Sequence, residues 1–196
     1  DIKGTVVKGL SGTGKTSDWT EAAFSDARGW PVSVTFHQNR MVIGGSRDLP
    51  NRLWMSKSSD LFNFDLGKAL DDDAIEFGIL SDQVNAIKAV VSTRHLLVFT
   101  TGAEWMVSGE PLTPEKIQLK RQTSVGIYAD KILAPQQIDG ATIFVSANGR
   151  QLREFLYTDV EQAYQAKDLT ILANDIIRRP RDVDYDKNDC VIYLVL

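Results

Sequence analysis

Apolar and polar residues alternate along this chain in short runs separated by turn-forming residues. Val32–His37 reads Val, Ser, Val, Thr, Phe, His, the period-two pattern of a strand with one buried face. The chain then turns through Gln38-Asn39 into Met41–Ile43 and stops at Gly44-Gly45. Arg52–Lys57, Phe62–Leu66, Ile75–Leu80, Val84–Val91, His95–Thr101, Glu104–Val107 and Ile117–Gln122 are further strand candidates, rich in β-branched and aromatic residues. Ala141–Ser146 and Gln151–Tyr157 flank Asn148-Gly149, a pair that tolerates positive φ and so favours a hairpin. Helical spacing shows mainly in Asp159–Ile177, which predicts one short helical segment near 159–177. The expected fold class is all-β and mainly antiparallel.

A loose repeat runs through the pattern. Phe36, a hairpin and Trp54 are echoed by Ile87, a hairpin and Trp105, both offsets being 51 residues. The Ile143-Phe144 hairpin and the closing run Val191–Leu196 look like later copies. Meandering sheets repeated every ~40–50 residues are how propeller blades look in sequence, and a ring needs at least ~4 of them. The expectation is therefore consecutive sheets, about three units with a fourth begun, forming propeller-like blades of an incomplete ring. A β-sandwich would give similar strand spacing. Residues 1–30 read as the end of a preceding β domain with a linker, and residues 31–196 as the sheet region. The start at Asp1 and the apolar finish suggest an excerpt from a longer polypeptide.

Composition narrows the chemistry. With 196 residues and 43% hydrophobic residues the chain can bury a core. A net charge of −4 gives no basic field for holding nucleic acid. The single cysteine, Cys190, allows neither an internal disulfide nor a thiolate zinc cage. No stretch approaches the ~20 apolar residues of a spanning helix.

One motif argues for an enzyme. Residues 9–16, Gly9-Leu10-Ser11-Gly12-Thr13-Gly14-Lys15-Thr16, match the phosphate-binding loop of P-loop NTPases, where Lys15 would reach the terminal phosphates and Thr16 would hold magnesium. That chemistry needs a parallel strand before the loop and an apolar helix after it. Ile2–Lys8 could supply the strand, but Ser17–Asp26 is weakly amphipathic and ends at Gly29-Trp30-Pro31. The reading favoured here is a Gly/Ser/Thr turn between strands.

Other candidates are weaker. Asp71-Asp72-Asp73 offers carboxylates to a hard cation but lacks EF-hand spacing, and reads as a solvated turn or acidic patch. His37 and His95 lie in or beside strands with no second ligand near in sequence, so structural roles are expected. Glu104, Glu154 and Asp159 are conceivable glycosidase carboxylates whose separation sequence does not fix. Ser11-Gly12 and Ser108-Gly109 lack the nucleophile-elbow frame. Arg178-Arg179-Pro180-Arg181 reads as a loop pairing with Asp182, Asp184 and Asp186. Trp19, Trp30, Trp54 and Trp105 read as packing residues. No catalytic, cofactor-binding or metal-binding residue is assigned.

Several blocks occur in an order that carries a family likeness: Arg28–Pro31, Val34–Phe36 with Asn39-Arg40 and Gly44–Ser46; Leu53–Lys57 leading to Phe62–Asp65 and Asp71–Ile75; Ser81–Ile87, Leu97–Gly102 and Glu104-Trp105; Leu112–Pro114 with Gln122 and Gly126; and Arg153-Glu154, Tyr157, Tyr164 and Asp168–Thr170. Over about four fifths of its length the chain resembles phage and prophage tail structural proteins related to the nozzle, or tail tubular protein B, of short-tailed phages. The resemblance implies a non-enzymatic virion subunit, in the phage tail after assembly in the bacterial host cytoplasm. It also implies other tail subunits and a homo-oligomeric ring as partners, with DNA passing through transiently during genome ejection. The P-loop-like string lies outside the likeness. A conduit should hold DNA weakly, since every neutralised phosphate adds affinity, and Asp71–Asp73 or Asp182–Asp189 are candidates to face a lumen. The rival readings are a P-loop NTPase using residues 9–16 and a carbohydrate- or receptor-binding tail propeller.

Overall fold

A computed structural model describes residues 22–80, 85–130, 133–172 and 175–196. Among these residues the protein is all-β, with antiparallel pairing and no helix. The strands run in order: β1 (Ser33–His37), β2 (Arg40–Gly44), β3 (Arg52–Met55), β4 (Ile75–Gly78), β5 (Ile87–Ser92), β6 (Leu96–Thr100), β7 (Glu104–Ser108), β8 (Gln118–Thr123), β9 (Gln136–Ile138), β10 (Ala141–Val145), β11 (Leu152–Thr158), β12 (Ala163–Asp168), β13 (Asp182–Asp186) and β14 (Val191–Val195). They form three four-stranded meanders, β1–β4, β5–β8 and β9–β12, followed by the two-stranded hairpin β13–β14.

The tightest connections follow turn chemistry. His37 pairs with Arg40, and both residues between them, Gln38 and Asn39, have positive φ (45° and 60°). This is the mirror-image turn whose twist matches a hairpin. Asp139-Gly140 does the same between β9 and β10. The Asn148-Gly149 hairpin forms, but within a longer loop, since Val145 pairs with Leu152 and only Gly149 has positive φ.

The sheets stack face to face, and alternation along the strands builds the core between them. On β6, Leu96 and Val98 enter the cluster shared with Val42, Leu53, Met55 and Ile75 of the first sheet. Its neighbours Leu97 and Phe99 point the other way, toward Phe144, Phe155 and Tyr164 of the third sheet. The third sheet repeats this arrangement, with Ile143 and Val145 packing toward Val183, Ile192 and Leu194 of the hairpin. Strand β6 is thus buried on both faces, which explains why it is a continuous apolar run. Aromatic rings dominate its contact with the third sheet: Phe99, Phe144 and Phe155 meet at 5.1–6.2 Å, and Tyr164 stacks on Phe155 at 4.8 Å.

Three expectations are corrected. The helical segment near 159–177 is absent from its described residues: Asp159–Gln162 is a turn and Ala163–Asp168 is β12. Its Glu, Gln, Ala and Lys residues favour a helix in isolation, but pairing with β11 over Arg153–Thr158 and the burial of Tyr164 override that preference. Phe62–Leu66 forms no strand; short polar bonds, Asn63 Nδ2 donating to Asp60, the Asp65 amide to Asn63 and the Gly67 amide to Asp65, fold it into turns. The 51-residue repeat places Trp54 and Trp105 alike, each on the third strand of its sheet, but Phe36 faces out on β1 whereas Ile87 is buried at the start of β5.

Candidate functional site: the turn face

In a meander, the connections from each odd strand to the next even one lie at the same end of the sheet. Here these connections gather on one face around several clefts, three of which concern the candidate residues. The largest, about 590 Å³, lies between the β1–β2 turn, the β3–β4 loop at Ser58, Asp71 and Asp72, and the β7–β8 loop at Glu110–Thr113. A second, about 530 Å³, joins the β5–β6, β9–β10 and β13–β14 connections, with Arg94, Gln137, Asp139, Tyr185 and Lys187 in its wall. Between them a smaller one, about 240 Å³, is lined by His37, Gln38, Arg94, His95 and Glu110, among others.

The wall of the first cleft is set by Arg40. Although charged, it is sealed beneath the surface, and its guanidinium donates to the carbonyls of Ser56 (2.7 Å), Asp73 (2.6 Å) and Asp71 (2.7 Å). Burial lowers its pKa, opposed by the Asp72 and Asp73 carboxylates. Asp73 does not face solvent. Its carboxylate accepts the amides of Lys68 and Leu70 and pairs with Lys57 at 3.0 Å, and the Lys57 bond holds its pKa below the ordinary carboxylate value. Of the Asp71–Asp73 patch, only Asp71 and Asp72 line the cleft, and no metal-binding cluster of three or more His, Cys, Asp or Glu residues occurs among the described residues.

The histidines, separated by 57 intervening residues in the chain, are brought to one cleft. His37 Nδ1 and Ser92 Oγ share a hydrogen bond of 2.8 Å between the first and second sheets. His95 Nδ1 shares one of 3.2 Å with the Tyr164 hydroxyl, between the second and third. Burial lowers the pKa of both rings, helped at His37 by the positive charge that His95 can carry and at His95 by Arg94, while Glu110 acts in the opposite sense on His95. Arg94 lies over the Tyr157 ring at 5.1 Å and pairs with Asp159 at 2.9 Å. Sequence spacing carried no signal for this convergence, because the two histidines belong to different sheets.

The proposed carboxylates do not form an evident pair. Glu104 is fully buried at the start of β7, where the Thr123 hydroxyl and the Val125 amide donate to Oε2 and Oε1 has no partner. Burial raises its pKa. Glu154 lies on β11 in the third sheet, and Asp159 in the β11–β12 turn is held by Arg94. Arg178–Arg181 does not pair with the neighbouring aspartates: among the described residues no ion pair includes it, while Asp182 and Asp184 accept the amides of Val183 and Tyr185. Trp54 and Trp105 are buried as expected, but Trp30 is exposed and its indole donates to Asp26. Trp19 and the phosphate-loop string 9–16 lie outside the described residues. Among those residues no helix is long and apolar enough to cross a membrane.

No known family model matches the chain. No curated protein matches it either.

Proposed function

We propose that this chain is an architectural module without catalytic activity, a subunit of a phage tail nozzle or hub that forms part of the conduit for genome ejection. The observation that carries the reading is the repetition of one unit, a four-stranded meander stacked face to face on the next, with apolar faces left at both ends of the stack. Val34 and Phe36 of β1 are each 60% exposed at one end, and Val191, Tyr193 and Val195 of β14 are 41–54% exposed at the other. Such surfaces suit assembly with further sheets or subunits. The sheets are read as propeller-like blades: β1 lies beside β5, with the Val90 amide donating to Ser33, and β9 beside β13, with Gln136 donating to the Val183 carbonyl. Neighbouring first strands are what blades around an axis present, while the second and third sheets meet through their last strands, where the Tyr164 amide of β12 donates to Gln122 of β8. The acidic balance and the ordered sequence blocks support the same role.

Antibodies against the chain should label the tail of purified phage particles in electron micrographs. Absence of the chain from particles, or micromolar binding of a magnesium–ATP analogue that is lost in Lys15→Ala, would overturn the reading in favour of another class. The second cleft favours one further reading, a receptor- or glycan-binding tail module, because Tyr185 there stands among Arg94, Gln137, Asp139 and Lys187. Glycan-array binding abolished by Tyr185→Ala would select it.

A further inference from the structure

Each histidine of the small cleft spans a different seam. His37 sits at the end of β1 and holds Ser92 at the end of β5, whereas His95 sits in the β5–β6 loop and holds Tyr164 of β12. Together they connect all three four-stranded sheets at one point of the turn face. Tyr157 and Tyr164 pack on the His95 ring at 5.1 and 5.9 Å and cover part of it.

We propose that His37 and His95 act as a proton-operated latch: as neutral rings they tie the first sheet to the second and the second to the third, and as cations they push both seams apart. The charge balance supports this. The groups facing the pair are Arg94 from the β5–β6 loop, Glu110 from the β7–β8 loop, Tyr157 from β11 and Tyr164 from β12. Two protonated rings beside Arg94 face one carboxylate lining the cleft, Glu110, while Asp159 is already engaged by Arg94. Each ring that gains a proton adds a positive charge, and Glu110 is the one carboxylate lining the cleft to set against both. A half-buried site that accepts net positive charge repels it, and the seam residues are the ones able to move apart. The latch belongs to the sheets themselves and does not depend on the function proposed above.

The sign follows from the lowered pKa values of both rings. Above the ordinary histidine value of 6.5 the contribution to folding is complete, and it is lost as pH falls below 6.5 through the folded-state values. Each histidine then weakens the folding constant by up to about tenfold per pH unit. Glu104, whose pKa is raised by burial, works in the opposite direction, so the wild type must be compared with variants rather than read alone. In urea unfolding between pH 7.5 and 5.0, the chain should lose stability on acidification. His37→Gln and His95→Gln, which keep a hydrogen-bonding side chain without the titration, should each remove part of that loss, and the double variant all of the histidine part. Protection of the Val90 amide, corrected for intrinsic exchange, should fall with pH in the wild type and hold in the double variant. A double variant with wild-type pH dependence overturns the proposal. Should that variant fail to fold, histidine NMR titration of the wild type decides: both rings titrating below 6.5 supports the latch, and either titrating at or above 6.5 overturns it.

Discussion

Arg40 is the largest side chain sealed inside the molecule among the described residues, and its position explains how a long connection stays ordered. The β3–β4 loop leaves Phe62, Leu66 and Leu70 exposed, so these apolar side chains do little to hold it in place. It is anchored by three carbonyls converging on one guanidinium, a cation that disperses its charge over a planar fork and stays protonated even when buried. Arg40→Met keeps the volume but leaves the carbonyls of Ser56, Asp71 and Asp73 without that donor. We expect a loss of about 3 kcal/mol from unsatisfied buried carbonyls, seen in calorimetry as a fall of roughly 10 °C in the melting temperature. A change of less than about 1 kcal/mol would mean that water replaces the guanidinium and that the loop is held elsewhere. Within the Asp71–Asp73 run the Asp73 carboxylate has a structural task of its own, accepting the Lys68 and Leu70 amides and pairing with Lys57, which a reading of charge alone does not reveal.

At the scale of strands and sheets, Gly44 controls how closely the first two sheets approach. A Cβ there would lie 2.4 Å from Val90 Cγ2 and 3.0 Å from Ile87 Cγ2, so the missing side chain is what lets β2 meet β5. Gly44→Val should cost roughly 1–3 kcal/mol by overpacking while leaving the urea m-value unchanged, since the same surface is buried. A neutral effect would show that the seam is looser than this spacing implies. The strands that were legible in the sequence are those written in apolar, β-branched or aromatic runs between turn residues: β1 to β8, β10, β11 and β14. Those missed are β9, β12 and β13. β9, Gln136–Ile138, is short and polar and too poor in apolar positions to stand out along the chain. β12 is written in helix-favouring residues and owes its conformation to its partner strand. β13 alternates Asp with Val and Tyr, and its acidic residues read more readily as a loop. The histidine cleft was illegible for a related reason: spacing along a chain reports neighbours on one element, whereas this site is assembled from turns of different sheets.

For the whole molecule, the exposed ends of the stack carry the expected behaviour. Val34 and Phe36 at one end and Tyr193 and Val195 at the other present apolar faces of the kind that, inside the molecule, are covered by a neighbouring sheet. If these ends serve assembly, sedimentation at rising protein concentration should show association that Phe36→Lys or Tyr193→Lys suppresses. Because both positions are on the surface, folding stability should move by no more than about 0.5 kcal/mol. Association unaffected by either change would assign the contacts to another surface. A different consequence comes from the doubly covered middle sheet. With no wet side along β6 and most of β7, this sheet gains much of its stability from the sheets on either side and loses it when one is stripped away. Strain applied along the stack would therefore shed the terminal hairpin and the first sheet before it reached the centre, so that damage to this protein begins at its margins and its interior gives way last.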